Sequence, residues 1–161
     1  MNKVVEVKVE ISPAVKAWDG EHFYNQSLFP TYAHPGDAGF DFRANLDHRE
    51  VLKPGKRILI PTGIRINLPQ GYEIQVRPRS GLALKYGVTV LNTPGTVDSG
   101  FEGEIGVILI NFGEEDFNIN PGDRIAQGVL KEFCTANFVP VPKIERKSNR
   151  GEGGYGSSGI Q

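Results

Sequence analysis

The strongest constraint on this chain is a recurring alternation of short apolar runs with proline and glycine turns. Val5, Val7, Val9 and Ile11 alternate with Glu6, Lys8 and Glu10, the period of a strand with one buried face. Similar short runs follow at 40–44, 57–60, 63–67, 72–77, 88–91, 105–111, 117–119, 124–129 and 138–141. Between them stand Pro35-Gly36, Pro54-Gly55, Pro69-Gln70-Gly71, Pro94-Gly95 and Pro121-Gly122. Proline presets φ and glycine accepts positive φ, so each of these reverses the chain. Many short strands so punctuated predict an all-β sandwich, barrel or jelly roll, and argue against alternating βαβ units. One short helix is predicted over 80–86, where Leu82, Ala83, Leu84 and Lys85 lie between Gly81 and Gly87.

Two segments break the rhythm. Residues 12–37 hold Trp18, Phe23, Tyr24, Phe29 and Tyr32 without clear periodicity, and a loop of that length usually carries function or structure of its own. The tail from Pro142 opens with Lys143, Arg146, Lys147 and Arg150 and ends in glycines and serines, a composition that predicts flexibility. The organisation expected is therefore one core over 1–141 and a flexible glycine-rich tail over 142–161. With 161 residues and 39% hydrophobic side chains, the chain has material for one core.

Charge and cysteine usage exclude several functions. Eighteen lysines and arginines nearly cancel nineteen aspartates and glutamates, so no global field would hold nucleic acid or an anionic membrane. Cys134 is the sole cysteine, which leaves no intrachain disulfide and, with three scattered histidines, no Cys/His zinc cluster of standard spacing. The start, Met1 to Glu6, lacks the apolar run of a signal peptide, and no stretch approaches a membrane span. A reduced, cytoplasmic location is expected. There is no phosphate-loop signature, no strand-linked Gly-x-Gly-x-x-Gly, no His-Glu-x-x-His and no Gly-x-Ser-x-Gly.

What remains is a series of clusters that set glycine beside charged or hydroxyl residues. Pro35-Gly36-Asp37-Ala38-Gly39-Phe40-Asp41 offers two carboxylates that could hold magnesium through water, or simply an Asx turn leading into a strand. Arg77-Pro78-Arg79-Ser80-Gly81 gathers guanidiniums, a hydroxyl and N–H groups suited to phosphate oxygens. It reads equally as a capped helix, with Ser80 as the cap and the arginines in solvent. The stretch from Asn92 to Glu104 reads as a hairpin with Asp98 near its tip. Asp98 could serve as a general base for water or be an ordinary turn residue. Gly122-Asp123-Arg124-Ile125-Ala126-Gln127 looks like a turn into a strand, with Arg124 and Gln127 as its polar side chains.

Taken in order, these clusters resemble the five motifs of the trimeric, all-β dUTPase family. The first is Gly36-Asp37-Ala38-Gly39-Phe40-Asp41, the second Arg79-Ser80-Gly81-Leu82-Ala83, and the third Gly95-Thr96-Val97-Asp98 through Gly103-Glu104. The fourth is Gly122-Asp123-Arg124-Ile125-Ala126-Gln127, and the fifth runs from Arg150 through Tyr155, Gly156, Ser157 and Ser158 to Gly159. The resemblance implies a jelly-roll or β-clip-like barrel, assembled as a homotrimer whose sites lie between subunits and are closed by the tail. It implies Mg2+-assisted hydrolysis of dUTP to dUMP and pyrophosphate, which keeps uracil out of DNA and supplies dUMP for dTMP synthesis. On this chain Asp41 would hold the magnesium through water, and Asp98 would orient and deprotonate the attacking water and hold the 3′-hydroxyl. Arg79, Ser80, Gly81, Gln127 and Arg150 would meet the phosphates.

The resemblance also implies how the base and sugar would be selected. Backbone groups of Asn92, Gly95, Thr96, Val97 and their neighbours would pair with the uracil edge as a strand does, and cytosine, with donor and acceptor exchanged, would leave buried groups unpaired. Phe101 under the sugar would refuse a 2′-hydroxyl. Tyr155 would stack on uracil, with Gly156 and Ser157 alongside, stacking being worth ~1–3 kcal/mol. Many members carry tyrosine where Phe101 stands, phenylalanine where Tyr155 stands and threonine where Ser158 stands. The rival of like fold is a dCTP deaminase. A rival of another class is a catalytically idle nucleotide sensor using 12–37 as its contact surface.

Overall fold

A computed structural model describes residues 3–13, 15–18 and 23–145. Its strands are β1 (Lys8–Ile11), β2 (Val15–Trp18), β3 (Phe23–Gln26), β4 (Thr31–Tyr32), β5 (Gly39–Arg43), β6 (Glu50–Leu52), β7 (Arg57–Pro61), β8 (Ile64–Asn67) and β9 (Tyr72–Arg77). After the helix α1 (Ser80–Tyr86) come β10 (Val88–Val90), β11 (Gly95–Val97), β12 (Gly106–Asn111), β13 (Phe117–Ile119) and β14 (Arg124–Glu132). They form a five-stranded sheet in the order β11-β9-β14-β5-β4, a three-stranded sheet β10-β12-β7, and three two-stranded pairs, β1-β8, β13-β6 and β2-β3. Every pairing is antiparallel. Short antiparallel strands in small packed sheets give the jelly-roll-like β architecture that the turn spacing predicts.

The two larger sheets enclose one core. Phe42, Ile60, Ile64, Val88, Leu109 and Ile119 are wholly buried, with Phe40, Ile74, Val76, Val107 and Ile125 packed among them. Alternation along β5 buries Phe40 and Phe42 and turns Asp41 to the other face, as strand geometry requires. Of the two buried polar side chains among the described residues, Thr62 and Asn111, Asn111 donates its amide to the Leu52 and Glu115 carbonyls (2.9 and 2.8 Å) while its carbonyl accepts from Gly113 N–H (2.8 Å). Among the described residues no buried side-chain polar atom lacks a hydrogen-bond partner, as a stable core demands.

Several expectations are corrected. The strand read from Val5 onward is paired only over Lys8–Ile11, because β8 is four residues long and offers no further partner. Residues 12–37 contain β2, β3 and β4, so the unpatterned stretch is mainly a hairpin plus an edge strand. The run 138–141 forms no strand. No sheet edge meets it, and Phe138, Val139 and Val141 stand 91%, 68% and 56% exposed. No helix among the described residues is long and apolar enough to cross a membrane.

Candidate active site

The site is built around Asp41. The chain enters β5 through a turn in which Asp37 accepts the His34 N–H on its carboxylate (2.9 Å) and donates its own N–H to the His34 carbonyl (3.2 Å). Gly36, at φ 92°, supplies the left-handed residue of that turn. The two carboxylates of this cluster therefore part company: Asp37 closes the turn by reaching back three residues to His34, not forward as in an Asx turn, and Asp41 is the one held by cations. Asp41 Oδ1 lies 3.1 Å from Arg79 Nε and Oδ2 3.3 Å from Arg124 Nη1, with the carboxylate side chain 14% exposed. Arg79 also donates through Nη1 to the Arg124 carbonyl at 3.2 Å. Like-charged guanidiniums so close together need the carboxylate between them.

Arg124 and Gln127 reach the same cleft because β14 is irregular. Three residues apart on a regular strand, they would face opposite sides. The pairing of β14 with β5 shifts register between Arg124 and Ala126, and a bulge of this kind turns one side chain to the other face. Gln127 sits opposite Asp41 on β5 and Arg77 on β9, and its amide donates to the Pro78 carbonyl at 2.9 Å. Gly39 leaves room for this amide, since a Cβ there would displace Gln127 Oε1. Arg124, noted in the sequence only as a polar side chain of its strand, is thus a component of the site. Its signal is masked by the three-residue spacing from Gln127, which only the bulge reconciles.

The helix expectation over 80–86 is met, with one correction. The N-cap is Arg79, not Ser80, and no side chain caps the helix. Ser80 and Gly81 are instead its first two residues, whose N–H groups have no acceptor within the helix. Gly87, at φ 67°, closes the other end by donating to the Ala83 and Leu82 carbonyls. Arg79 is not in solvent either, with 27% of its side chain exposed. Asp37, Gly39, Asp41, Arg79, Ser80, Gly81, Arg124 and Gln127 line one open cleft of about 460 Å3. Two guanidiniums, a hydroxyl and free N–H groups suit phosphate oxygens, and the carboxylate between them suits a hydrated cation. A larger cavity of about 600 Å3 lies at Lys85–Asn118 but is walled by Glu114, Glu115 and Asp116, which repel an anion.

The predicted base-selecting residues lie elsewhere. β11 pairs with β9 in the register Gly95↔Val76, Thr96↔Gln75 and Val97↔Ile74, so the stretch from Asn92 to Glu104 is not the self-paired hairpin expected. It is an edge strand of the five-stranded sheet followed by a turn closed by Phe101 N–H on the Asp98 carbonyl (3.1 Å). Among the described residues no strand lies against its outer edge, an edge of the kind that offers backbone donors and acceptors to a strand-like ligand. Gly95 and Val97 are buried, Asn92, Thr96 and Asp98 are exposed, and Phe101 is 43% exposed. Asp98 follows Val97 at the Ile74 end of β9, whereas Arg79 follows Arg77 at the other end. That is more than roughly 10 Å at ~3.3 Å per residue. None of Asn92 to Glu104 lines the Asp41 cleft. Arg150, Tyr155, Gly156 and Ser157 lie outside the described residues.

Comparison with known proteins bears on both regions. The family model for dUTPase matches residues 25–159. The deoxyuridine 5'-triphosphate nucleotidohydrolase of Chlamydia pneumoniae is 56% identical over 130 residues, covering 81% of this chain and 90% of its own. That of Caulobacter vibrioides is 53% identical over 148 residues, covering 90% and 92%. This chain belongs to the dUTPase family. Membership agrees with the architecture: a mutant dUTPase of Staphylococcus bacteriophage 80alpha, solved with dUpNHpp, superposes with a TM-score of 0.78 over 96% of this chain and 99% of its own, at 24% identity. The dUTPase match takes in the Asp41 cleft, the Asp98 segment and the tail motif together, so the two separated regions are parts of one family pattern.

Proposed function

We propose that the chain hydrolyses dUTP to dUMP and pyrophosphate, at sites that join the Asp41 cleft of one subunit to the Asp98 segment of another. The observation that carries this reading is the placement of Arg79, Ser80, Gly81, Arg124 and Gln127 around Asp41 in a chain of the dUTPase family. In it Arg79 and Arg124 take the triphosphate oxygens, with Ser80, Gly81 and Gln127 beside them and Arg150 added from the tail. Asp98 accepts a proton from a water whose oxygen forms the new bond to the α-phosphorus. The bond from that phosphorus to the bridging oxygen breaks, and pyrophosphate leaves with the electron pair, its charge opposed by the guanidiniums.

Magnesium fits the site in one way. Among the described residues no three His, Cys, Asp or Glu side chains could cage a metal, which suits an ion that keeps its waters and is held by one carboxylate and the substrate phosphates. Asp41 is that carboxylate. When bound, Mg2+ supplies charge neutralisation on the triphosphate. For selection, the open edge of β11 from Gly95 to Val97, with Asn92, offers backbone partners to the uracil edge. Phe101 forms the floor under the deoxyribose, and Tyr155, Gly156 and Ser157 close over the base.

A homotrimer is supported by two features. Asp98 and the Asp41 cleft stand at opposite ends of β9, and the segment after β14 carries Phe138, Val139, Val141 and Ile144 exposed, apolar surface suited to a neighbouring subunit. The reaction would keep uracil out of DNA and feed dTMP synthesis. A cytoplasmic setting suits the exposed lone thiol of Cys134. The test is pyrophosphate release with Mg2+ from dUTP, beside dCTP, dTTP and UTP at equal concentration. Release from dUTP alone is expected. Ammonia from dCTP would move the chain to the deaminase reading, and binding of dUTP without release would make it a sensor.

A further inference from the structure

The segment that carries Asp98 and Phe101 is anchored at both ends. At one end Val97 is paired on β9. At the other, Glu104 and Ile105 grip the tight turn between β7 and β8. Thr62 N–H and its hydroxyl both donate to the Ile105 carbonyl (3.1 and 2.7 Å), and Ile105 N–H donates to the Ile64 carbonyl (2.8 Å). These bonds use the backbone of 105 and do not depend on which residue stands at 104. One bond does: Glu104 Oε1 accepts the Gly63 N–H at 2.6 Å, in a half-buried setting. Gly63 is tied on its other side as well, its carbonyl accepting the Ser12 N–H at 2.7 Å, and its φ of 68° is one that glycine readily takes.

What this bond controls is the residue before Glu104. The tip of the Phe101 ring lies against Gly103, so close that a Cβ on Gly103 would stand 2.7 Å from its Cζ and 3.0 Å from its Cε2. The height of the Gly103 backbone therefore sets the height of the ring, and Glu104 is the first side chain that ties this backbone to the core. We propose that Glu104 is a positioning residue for sugar discrimination, holding Phe101 at the level from which a 2′-hydroxyl is refused. This rests on the reading of Phe101 as the floor of the deoxyribose pocket. The carboxylate does not touch the nucleotide; it acts through Gly103.

The experiment compares kcat and KM for dUTP and UTP in the full chain and in Glu104→Gln, Glu104→Ala, Glu104→Met and Phe101→Ala, with thermal midpoints beside them. Loss of the acceptor in Glu104→Ala and Glu104→Met is expected to raise KM for dUTP on the order of tenfold with kcat held within a few-fold, as a displaced positioning group does. The preference for dUTP over UTP should narrow with it. Glu104→Gln, whose amide oxygen accepts the same N–H, should restore both. Methionine fills the volume, so it keeps the test open if alanine unfolds the chain. An unchanged dUTP preference in a folded alanine or methionine variant would overturn the proposal, as would a glutamine variant as impaired as alanine. So would failure of both alanine and methionine variants to fold, which would make Glu104 a structural residue. An unchanged preference in Phe101→Ala would instead overturn the reading of the sugar floor, and the proposal with it.

Discussion

At the residue scale, the proposed reaction gives Asp41 and Asp98 different work. Asp41 is bound on both oxygens by guanidiniums, so in the free protein it neutralises the cations that the substrate will need. A cation at Asp41 would release Arg79 and Arg124 toward phosphate, which links the two binding events. Asp41→Asn should therefore raise the Mg2+ needed for half-maximal rate by about tenfold or more, measured by titrating the ion at saturating dUTP. Asp98, exposed at the end of β11, has no such partner role. Asp98→Asn should lower kcat by ~10²–10⁴, the range general-base catalysis supplies, while calorimetry finds dUTP binding within a few-fold of the parent. Normal turnover in that variant would remove Asp98 from the mechanism.

At the element scale, β14 organises the site. It lies between β5 and β9, carries Arg124 and Gln127, and pairs Gln127 directly with Asp41. Its backbone must pass beneath two rings: a Cβ on Gly128 would lie 2.5 Å from Phe40 Cε2 and Cζ and 2.8 Å from Phe42 Cε2. Gly128→Ala should cost about 1–3 kcal/mol through overpacking, read as a lower denaturant midpoint with unchanged slope. A neutral result would mean that the aromatic pair yields easily. The tail has the opposite part in the proposed reaction. Truncation before Arg150 should cripple turnover and leave the thermal transition of the core in place, because residues that close over a ligand contribute to the reaction without contributing to the core.

At the scale of the whole molecule, the proposed reaction would draw Asp98 and the Asp41 cleft from different chains, since the two stand apart along β9. Light scattering should give three times 17.7 kDa, about 53 kDa. Mixing is the sharper measurement. Asp98→Asn and Arg79→Ala chains, each inactive alone, should regain activity when co-refolded, with roughly a quarter of the sites receiving both native residues if the two come from different subunits. No recovery from properly mixed assemblies would place both residues in one chain's site.

The sequence by itself determined the all-β class, because period-two runs broken by proline and glycine have few other ways to bury their apolar faces. The local clusters also offered Arg79, Ser80 and Gly81 to phosphate, the family resemblance singled out Asp41 and Gln127, and all five line one cleft. Tertiary structure decided what depends on neighbours distant in the chain. Arg124 enters the cleft only through a bulge in β14 set by its pairing with β5. The segment from Asn92 to Glu104 becomes an edge strand on β9 and not a hairpin on itself. The turn at His34 uses the Asp37 carboxylate, which leaves Asp41, the residue the resemblance had chosen, to the two guanidiniums. Pairing between remote strands fixes which face a side chain shows and which groups it meets, and no local pattern records that.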